Sequence, residues 1–496
     1  MAAEMTPLPL RCYFVGAGPG DPRLITVRGR DLLQRADAVL YDSLVNPLLL
    51  LECRKDALLE YVGKRFGIES TPQEQINVRI LELLRQGKSV VRLKGGDPLT
   101  FARGAEEMEA VAAAGFEFEI VPGVSALNGC SAYAGIPLTH REHNSEFHAF
   151  TATRDSRAMD FSRLARLDGT RILFMGVSQL KKCCEEMLVN CADPMTPVAI
   201  VEWGTRGRQR CVTGDLSTIT QIALERKISQ PALIIMGSTV SLRSSLAWWE
   251  KKPLQGKKIL FTSSVSDSAN RIVEKLLDIG AEVSWVPLVE IEPSGKIASA
   301  GELADLHRQP QTNILFTSAN AVSIYLQHLL SHQLDARIFS GNTIIACGVP
   351  TKHRLADFGL CADISFPAGK LEHVAQHLAK LAGLLLWPCG SESQQQWLPG
   401  LEGRIQRIVV YNTTTRILAE RERESIFENR DYTLFMSPSA VRSWIENHLP
   451  PELAGKPVAI GNRTAQELNK HRFSDIFVSE NASAQSIISL LCNLCM

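Results

Sequence analysis

Three glycine-rich turns, each following a short apolar run, fall within the first 126 residues: Val15-Gly16-Ala17-Gly18-Pro19-Gly20-Asp21, Leu93-Lys94-Gly95-Gly96-Asp97-Pro98 and Val121-Pro122-Gly123-Val124-Ser125-Ala126. Glycine where a strand ends lets backbone N–H groups approach a ligand with no Cβ in the way. A single such turn often serves only to reverse the chain. Three of them, two beside an Asp, point to a cleft at the carboxyl ends of a parallel sheet, where α/β enzymes bind their ligands. Gly16-x-Gly18-x-Gly20 lacks the G-x-G-x-x-G spacing of a dinucleotide site, and Pro19 removes an N–H that a pyrophosphate would take. That disfavours a nicotinamide or flavin enzyme with Asp37 or Asp42 on the ribose.

The elements that must carry these turns follow from periodicity. A Cys12–Val15 run, a helical pattern over Thr26–Ala36, the run Ala38–Tyr41 and a helix Gln73–Arg85 leading into Ser89–Leu93 give the rhythm of parallel βαβ units. After Thr139 strand-like runs predominate, at Phe147–Thr151, Arg171–Met175, Val198–Glu202, Gln209–Thr213 and Leu233–Met236, and two of them meet across Trp203–Arg208 like a hairpin. The expectation is an α/β fold with lobes of about 10–139 and 140–245, then a charged, Pro- and Gly-containing linker at 246–257.

From 258 to 496 the strand-helix rhythm begins afresh and repeats. Leu315-Phe316-Thr317-Ser318-Ala319-Asn320-Ala321-Val322 is echoed by Leu434-Phe435-Met436-Ser437-Pro438-Ser439-Ala440-Val441, and Cys347-Gly348-Val349-Pro350-Thr351 by Ile460-Gly461-Asn462-Arg463-Thr464. Two related lobes with a ligand cleft between them is the economical reading, although each hydroxyl also suits a helix N-cap.

Composition bounds the rest. The 496 residues carry 53 basic and 53 acidic side chains and are 45% hydrophobic, enough for two or three domains with real cores. Zero net charge argues against nucleic acid as a partner, so an anionic ligand must be held by local arginines. The N-terminus has no secretory pattern, no apolar run reaches membrane-spanning length, and the twelve cysteines are scattered through apolar elements. A cytoplasmic protein with reduced thiols is expected. Cys492-x-x-Cys495 ends a terminal helix and reads as structural, and His140-x-x-His143 is no persuasive metal spacing.

Over residues 10–245 the sequence resembles the uroporphyrinogen-III C-methyltransferases, within the S-adenosylmethionine-dependent tetrapyrrole methylases. The residues that carry it are Val15–Asp21, Tyr41-Asp42, Val62-Gly63-Lys64-Arg65, Val90–Pro98, Arg103–Glu107, Val121–Ala126, Gly135–Arg141 and Phe174-Met175-Gly176. The resemblance implies S-adenosylmethionine as methyl donor, no metal, and a cofactor site of Pro19, Gly95, Gly96, Asp97, Thr100, Ser125, Ala126, Met175 and Gly204. It implies a substrate with eight carboxylates, for which Arg103 and Arg141, with Glu106 orienting one of them or a pyrrole N–H, are the candidate contacts. Asp42 is the expected proton acceptor and Lys64 the donor. Arg103 is a rival that could stabilise developing charge, but its guanidinium is not a free base at neutral pH. The family also implies a homodimer. Ala102 and Ala105 stand where glycines are common, and Trp203 where a smaller polar residue is usual.

Residues 258–496 resemble uroporphyrinogen-III synthase, on Pro287–Ile291, Phe316–Val322, Val410-Tyr411, Ser437-Pro438-Ser439 and Ala459–Ala465. This implies two flavodoxin-like lobes, one of 258–290 plus 412–496 and one of 294–408, and ring closure of hydroxymethylbilane with inversion of the last pyrrole. Tyr411 is then the candidate acid for loss of the hydroxyl, with Ser318, Ser437 and Thr464 holding carboxylates. Thr262-Ser263-Ser264 stands where many members have an arginine. The whole reads as a bifunctional enzyme making precorrin-2 for sirohaem, a corrinoid or another modified haem. A non-catalytic tetrapyrrole-binding C-terminal module remains the alternative.

Overall fold

The structure is a computed structural model of the chain and describes residues 7–63, 72–154, 157–367, 371–393, 401, 403–481 and 483–495. The chain divides into two compact units, Met1–Lys258 with Leu276–Ser284, and Ile259–Lys275 with Trp285–Met496.

The first sheet holds β1 (Cys12–Gly16), β2 (Ala38–Tyr41), β3 (Leu58–Tyr61), β4 (Val90–Lys94) and β5 (Phe118–Val121) in the order β3-β2-β4-β1-β5, with every pair parallel. β1, β2 and β4 are buried at every position, as strands covered by helices on both faces must be. The helix Gln73–Arg85 buries Ile76, Ile80, Leu83 and Leu84, one stripe at 3.6-residue spacing. The helix Val27–Arg35 starts where the Thr26 side chain accepts the Gly29 N–H.

A second sheet follows, with β6 (Phe147–Thr151), β9 (Thr170–Phe174), β10 (Pro197–Glu202), β11 (Arg210–Asp215) and β12 (Ala232–Met236) in the order β11-β10-β12-β9-β6; a small hairpin of β7 (Thr153–Arg154) and β8 (Arg157–Ala158) lies between β6 and β9 in the chain. β6 and β9 are parallel and the other pairs antiparallel, so β10 and β11 form the hairpin expected across Trp203–Arg208. Residues 246–257, read as a linker, are packed onto this unit. Trp249 is 2% exposed, its ring lies 4.7 Å from that of Tyr133, and its indole N–H donates to the Arg206 carbonyl at 2.9 Å. Trp249 outweighs the charge around it because burying its ring removes much apolar surface from water.

The remaining strands form two further sheets. One runs β14-β13-β21-β22-β23, from β13 (Lys258–Phe261), β14 (Glu282–Trp285), β21 (Tyr432–Phe435), β22 (Lys456–Ala459) and β23 (Phe477–Val478). The other runs β15-β20-β19-β16-β17-β18, from β15 (Val289–Pro293), β16 (Asn313–Phe316), β17 (Thr343–Cys347), β18 (Ile364–Phe366), β19 (Leu385–Gly390) and β20 (Ile405–Thr415). The first has the flavodoxin order 2-1-3-4-5. The second has the same order when its parallel strands are counted from β19, so the two sheets are circular permutations of one pattern. This explains the sequence repeat, since β16 with β17 and β21 with β22 occupy matching places. The lobe boundaries differ from the expected 290 and 412: β15 and the whole of β20 belong to the second-lobe sheet and pair antiparallel, Val289 opposite Thr415 and Pro293 opposite Tyr411. The two crossings satisfy each other's backbone groups, which would otherwise run between lobes unpaired.

Candidate functional site

In the first unit the three glycine turns pack on one another. Gly18 and Gly96 exchange backbone hydrogen bonds of 3.2 and 2.8 Å, and a Cβ on Gly16 would lie 2.5 Å from the Gly123 Cα and 2.7 Å from the Gly96 carbonyl oxygen. Asp97 ties the third loop in: one carboxylate oxygen accepts from the Leu99 N–H and the Thr100 hydroxyl at 3.0 Å, the other from the Gly123 N–H at 3.1 Å. At Gly16 and Gly123 glycine is therefore needed for loop against loop, whereas Gly95 and Gly96 face a cavity.

That cavity holds about 440 Å3, within the range of small-molecule sites. Pro19, Gly95, Gly96, Asp97, Thr100, Ser125, Ala126, Met175 and Gly204 all line it, together with Asp42. The second sheet adds Phe174, Val201 and Leu233, and the turn after β10 adds Trp203. Backbone strain collects here: Phe101, Met175 and Trp203 line the cavity with φ of 54°, 53° and 49°, and the flanking Arg103 and Thr205 have 57° and 69°. Each costs about 1 kcal/mol outside glycine, and such residues gather at ligand clamps. The Phe101 and Phe174 rings meet at 4.8 Å, and the Arg208 guanidinium sits 3.7 Å from the Trp203 ring, so two of the strained residues are held by aromatic contact. Cys130 lines the cavity beneath Gly204, where any Cβ would overlap its sulfur.

Asp42 stands at the end of β2, its carboxylate accepting from the Leu44 N–H at 3.0 Å and the Gly95 N–H at 3.3 Å. Arg103 and Glu106 are paired at 2.7 Å on the exposed first turn of the helix Gly104–Ala113, beside the cavity lining and not in it. The hydrogen bond from Arg103 holds the Glu106 carboxyl below its ordinary range. Arg141 is exposed in the loop before β6. Lys64 lies outside the described residues.

Sequence reasoning missed a cluster behind Asp42. Arg92, Lys94 and Glu107 are each at most 3% exposed, and Glu107 lies 3.2 Å from the Arg92 Nε and 3.0 Å from the Lys94 ammonium. The signal available was Val90-Val91-Arg92-Leu93-Lys94, a strand with two cations at alternate positions where a buried strand should be apolar throughout.

In the second unit the Tyr411 hydroxyl donates to the Ser318 Oγ at 3.3 Å, joining two of the candidates. Burial pushes the Tyr411 phenol up from its ordinary value, with the Ser318 hydrogen bond opposing it. A Cβ on Gly390 would lie 2.6 Å from the Tyr411 ring, so Gly390 is the floor on which Tyr411 rests; the sequence carried no mark of that. Ser318 and Ser437 cap the helices Ala319–Ser331 and Pro438–Glu446, Ser318 accepting from the Asn320 and Ala321 N–H groups and Ser437 from that of Ala440. They follow β16 and β21, matching strands in the two lobes. Thr464, expected to donate to a carboxylate, is buried at 2%, like its counterpart Thr351 at 3%. The exposed residues of that turn are Asn462 and Arg463. Two ion pairs join the lobes, Arg442 to Glu392 at 2.6 Å and Arg354 to Asp267 at 3.2 Å. Among the described residues no group of three or more His, Cys, Asp or Glu has the arrangement of a metal site, and no helix is long and apolar enough to cross a membrane. All twelve cysteines are free thiols.

Comparison with known proteins supplies the family. Residues 11–220 match the model of the tetrapyrrole (corrin/porphyrin) methylases and residues 270–489 that of uroporphyrinogen-III synthase HemD. A porphyrin biosynthesis protein HemD from Ruminiclostridium josui is 34% identical over 491 residues, covering 96% of this chain and 97% of that protein. A siroheme synthase from Ectopseudomonas mendocina is 46% identical over 240 residues, 48% of this chain; the match spans about half, 52%, of its length. A uroporphyrin-III C-methyl transferase of Thermus thermophilus, solved with S-adenosyl homocysteine, is 36% identical over 47% of this chain and 99% of its own, with a TM-score of 0.42. With a relative matched along almost its entire length and a different family model on each half, the chain belongs to the family of the porphyrin biosynthesis protein HemD, an enzyme joining a tetrapyrrole methylase domain to a uroporphyrinogen-III synthase domain on one polypeptide.

Proposed function

We propose that the second unit closes hydroxymethylbilane to uroporphyrinogen III and that the first methylates this product twice to precorrin-2, with S-adenosylmethionine as donor. The observation that carries the methylation is one cavity lined by nine separately expected cofactor residues from three loops and a second sheet. Its chemistry fits such a donor: glycine backbone at Gly95 and Gly96, the Asp97 carboxylate for polar groups, and an apolar wall of Phe174, Met175, Val201 and Leu233. When bound, the sulfonium supplies an activated methyl group; alignment with the attacking pyrrole carbon provides much of the rate. Asp42, at the cavity wall with two backbone N–H groups on its carboxylate, takes up the proton released from the methylated ring. Arg103, oriented by Glu106, and the exposed Arg141 receive substrate carboxylates.

In the second unit burial raises the Tyr411 pKa and keeps the phenol protonated, so it can donate to the departing hydroxyl, with Ser318 holding its orientation. Ser437 and the turn before Thr464 offer hydroxyl and backbone N–H groups to carboxylates. A homodimer through the first unit is part of this reading; light scattering of the purified chain reads it directly.

The test is anaerobic incubation with hydroxymethylbilane, with and without S-adenosylmethionine, followed by mass and isomer analysis after oxidation. Type III uroporphyrinogen without the donor and a dimethylated product with it are expected. Type I isomer alone in the first tube would reduce the second unit to a non-catalytic tetrapyrrole-binding module, and supplied uroporphyrinogen III would then assay the methylase by itself.

A further inference from the structure

β4 is a central strand of the first sheet, paired on both sides, and its Arg92 and Lys94 side chains share one face because strand side chains alternate. Glu107, from the helix Gly104–Ala113, is placed between them. One of its oxygens accepts from the Lys94 ammonium at 3.0 Å and from the Gln73 amide at 3.1 Å, and the other lies 3.2 Å from the Arg92 Nε. The Arg92 Nη1 also donates to the Leu93 carbonyl at 3.1 Å and stands 4.0 Å from the Asp42 carboxylate. Four charges therefore alternate in sign, Asp42, Arg92, Glu107, Lys94, and the first of them lines the cavity.

A core that needed only filling would gain by having apolar residues here, since buried ion clusters commonly cost more desolvation than their attraction returns. Burial lowers the Lys94 pKa and the Arg92 charge lowers it further, while Glu107 opposes both. Arg92 sits where it can act on Asp42 without touching a ligand. The Asp42 carboxylate already accepts the Gly95 and Leu44 N–H groups, and the guanidinium behind it selects one orientation.

We propose that Arg92, clamped by Glu107, is a positioning residue that fixes the Asp42 carboxylate toward the cavity for proton transfer. This rests on the reading of Asp42 as proton acceptor. Arg92 holds the acceptor, so its alteration should slow turnover and spare binding. In the full chain, Arg92→Lys is expected to lower the methylation kcat about tenfold, the scale of a misaligned group, with KM for S-adenosylmethionine and Kd for S-adenosylhomocysteine changed less than twofold. In an Asp42→Asn background the same substitution should cost less than twofold, because there is no carboxylate left to place.

An equal loss in both backgrounds, with Asp42→Asn itself strongly impaired, would overturn the positioning role while leaving the acceptor in place. An Asp42→Asn enzyme at full rate would sink the acceptor reading and this inference together. Loss of S-adenosylhomocysteine affinity in parallel with kcat would make Arg92 a packing residue. Should Arg92→Lys not fold, Glu107→Gln keeps the shape and removes the clamp. It is expected to reproduce the kcat loss with unchanged Kd, and unaltered kcat in that variant would count against the proposal.

Discussion

The two units differ in architecture, as the two proposed reactions differ in what they demand. In the first, the candidate residues sit on loops locked together by glycine contacts and Asp97, around one cavity whose wall includes three non-glycine residues at positive φ. In the second, they are spread over two permuted lobes, at helix caps and on one half-buried tyrosine. Methyl transfer demands that two partners be aligned to within tenths of an ångström, which rigid, strained loops supply. Ring closure demands that a long flexible chain be gathered, which suits lobes joined at their surface by partly exposed ion pairs worth about 0–1 kcal/mol each.

The sharpest way to break this comparison is Asp42→Asn. Methylation of supplied uroporphyrinogen III is expected to fall by roughly 10²–10⁴-fold while ring closure by the same chain is unchanged; a parallel loss of both activities would mean that the units do not work separately. Tyr411→Phe is the mirror experiment, with a fall of about 10–100-fold in type III formation and no change in methylation. Type III yield at the parental rate would remove Tyr411 from the chemistry.

Gly123→Val tests loop-on-loop locking, because its side chain would overlap the Gly96 carbonyl. S-adenosylhomocysteine binding followed by calorimetry should be lost, with destabilisation of about 1–3 kcal/mol confined to the first unit. Gly390→Ala is the milder counterpart, displacing the Tyr411 ring and lowering ring closure several-fold; a wild-type rate there would show that the tyrosine need not be held.

The smallest effect expected is on pH. His307 lies buried between Asn342 and the Tyr325 hydroxyl, at 2.8 and 2.7 Å, and burial lowers its pKa below the ordinary 6.5. The unfolded chain then binds the proton more readily, so the stability of the second unit is fully present above pH 6.5 and declines as pH falls below it. Denaturant midpoints between pH 5 and 7.5 should show that slope in the parent and a shallower one in His307→Gln.

Much of the first site was legible because its chemistry is written in types that few other demands select: glycine pairs, Asp97 beside a turn, Asp42 at a strand end. Arg92 and Lys94 were legible as anomalies in an apolar strand but not as a cluster, since Glu107 lies on a helix whose face only packing decides. The second site was harder. Ser318 and Ser437 are the same residue types that any helix start prefers, so the spacing could not separate a cap from a contact. The Thr464 side chain turns out buried, which no local pattern announces. The tryptophans at 248 and 249 were read through their charged neighbours, and packing against Tyr133 overrode that composition.

Local chemistry along the chain determined the strands, the helix starts, the repeat of the second half and the residue types available for methyl transfer and ring closure. Strand periodicity, capping and turn conformation depend on near neighbours, so they are readable in order. Only the tertiary structure decided that nine residues spread from Pro19 to Gly204 share one cavity, that Glu107 stands between two buried cations behind Asp42, and that Gly390 supports Tyr411. Those are contacts between elements far apart in the chain, set by sheet order and close packing, and such distances are not encoded in any local stretch of sequence.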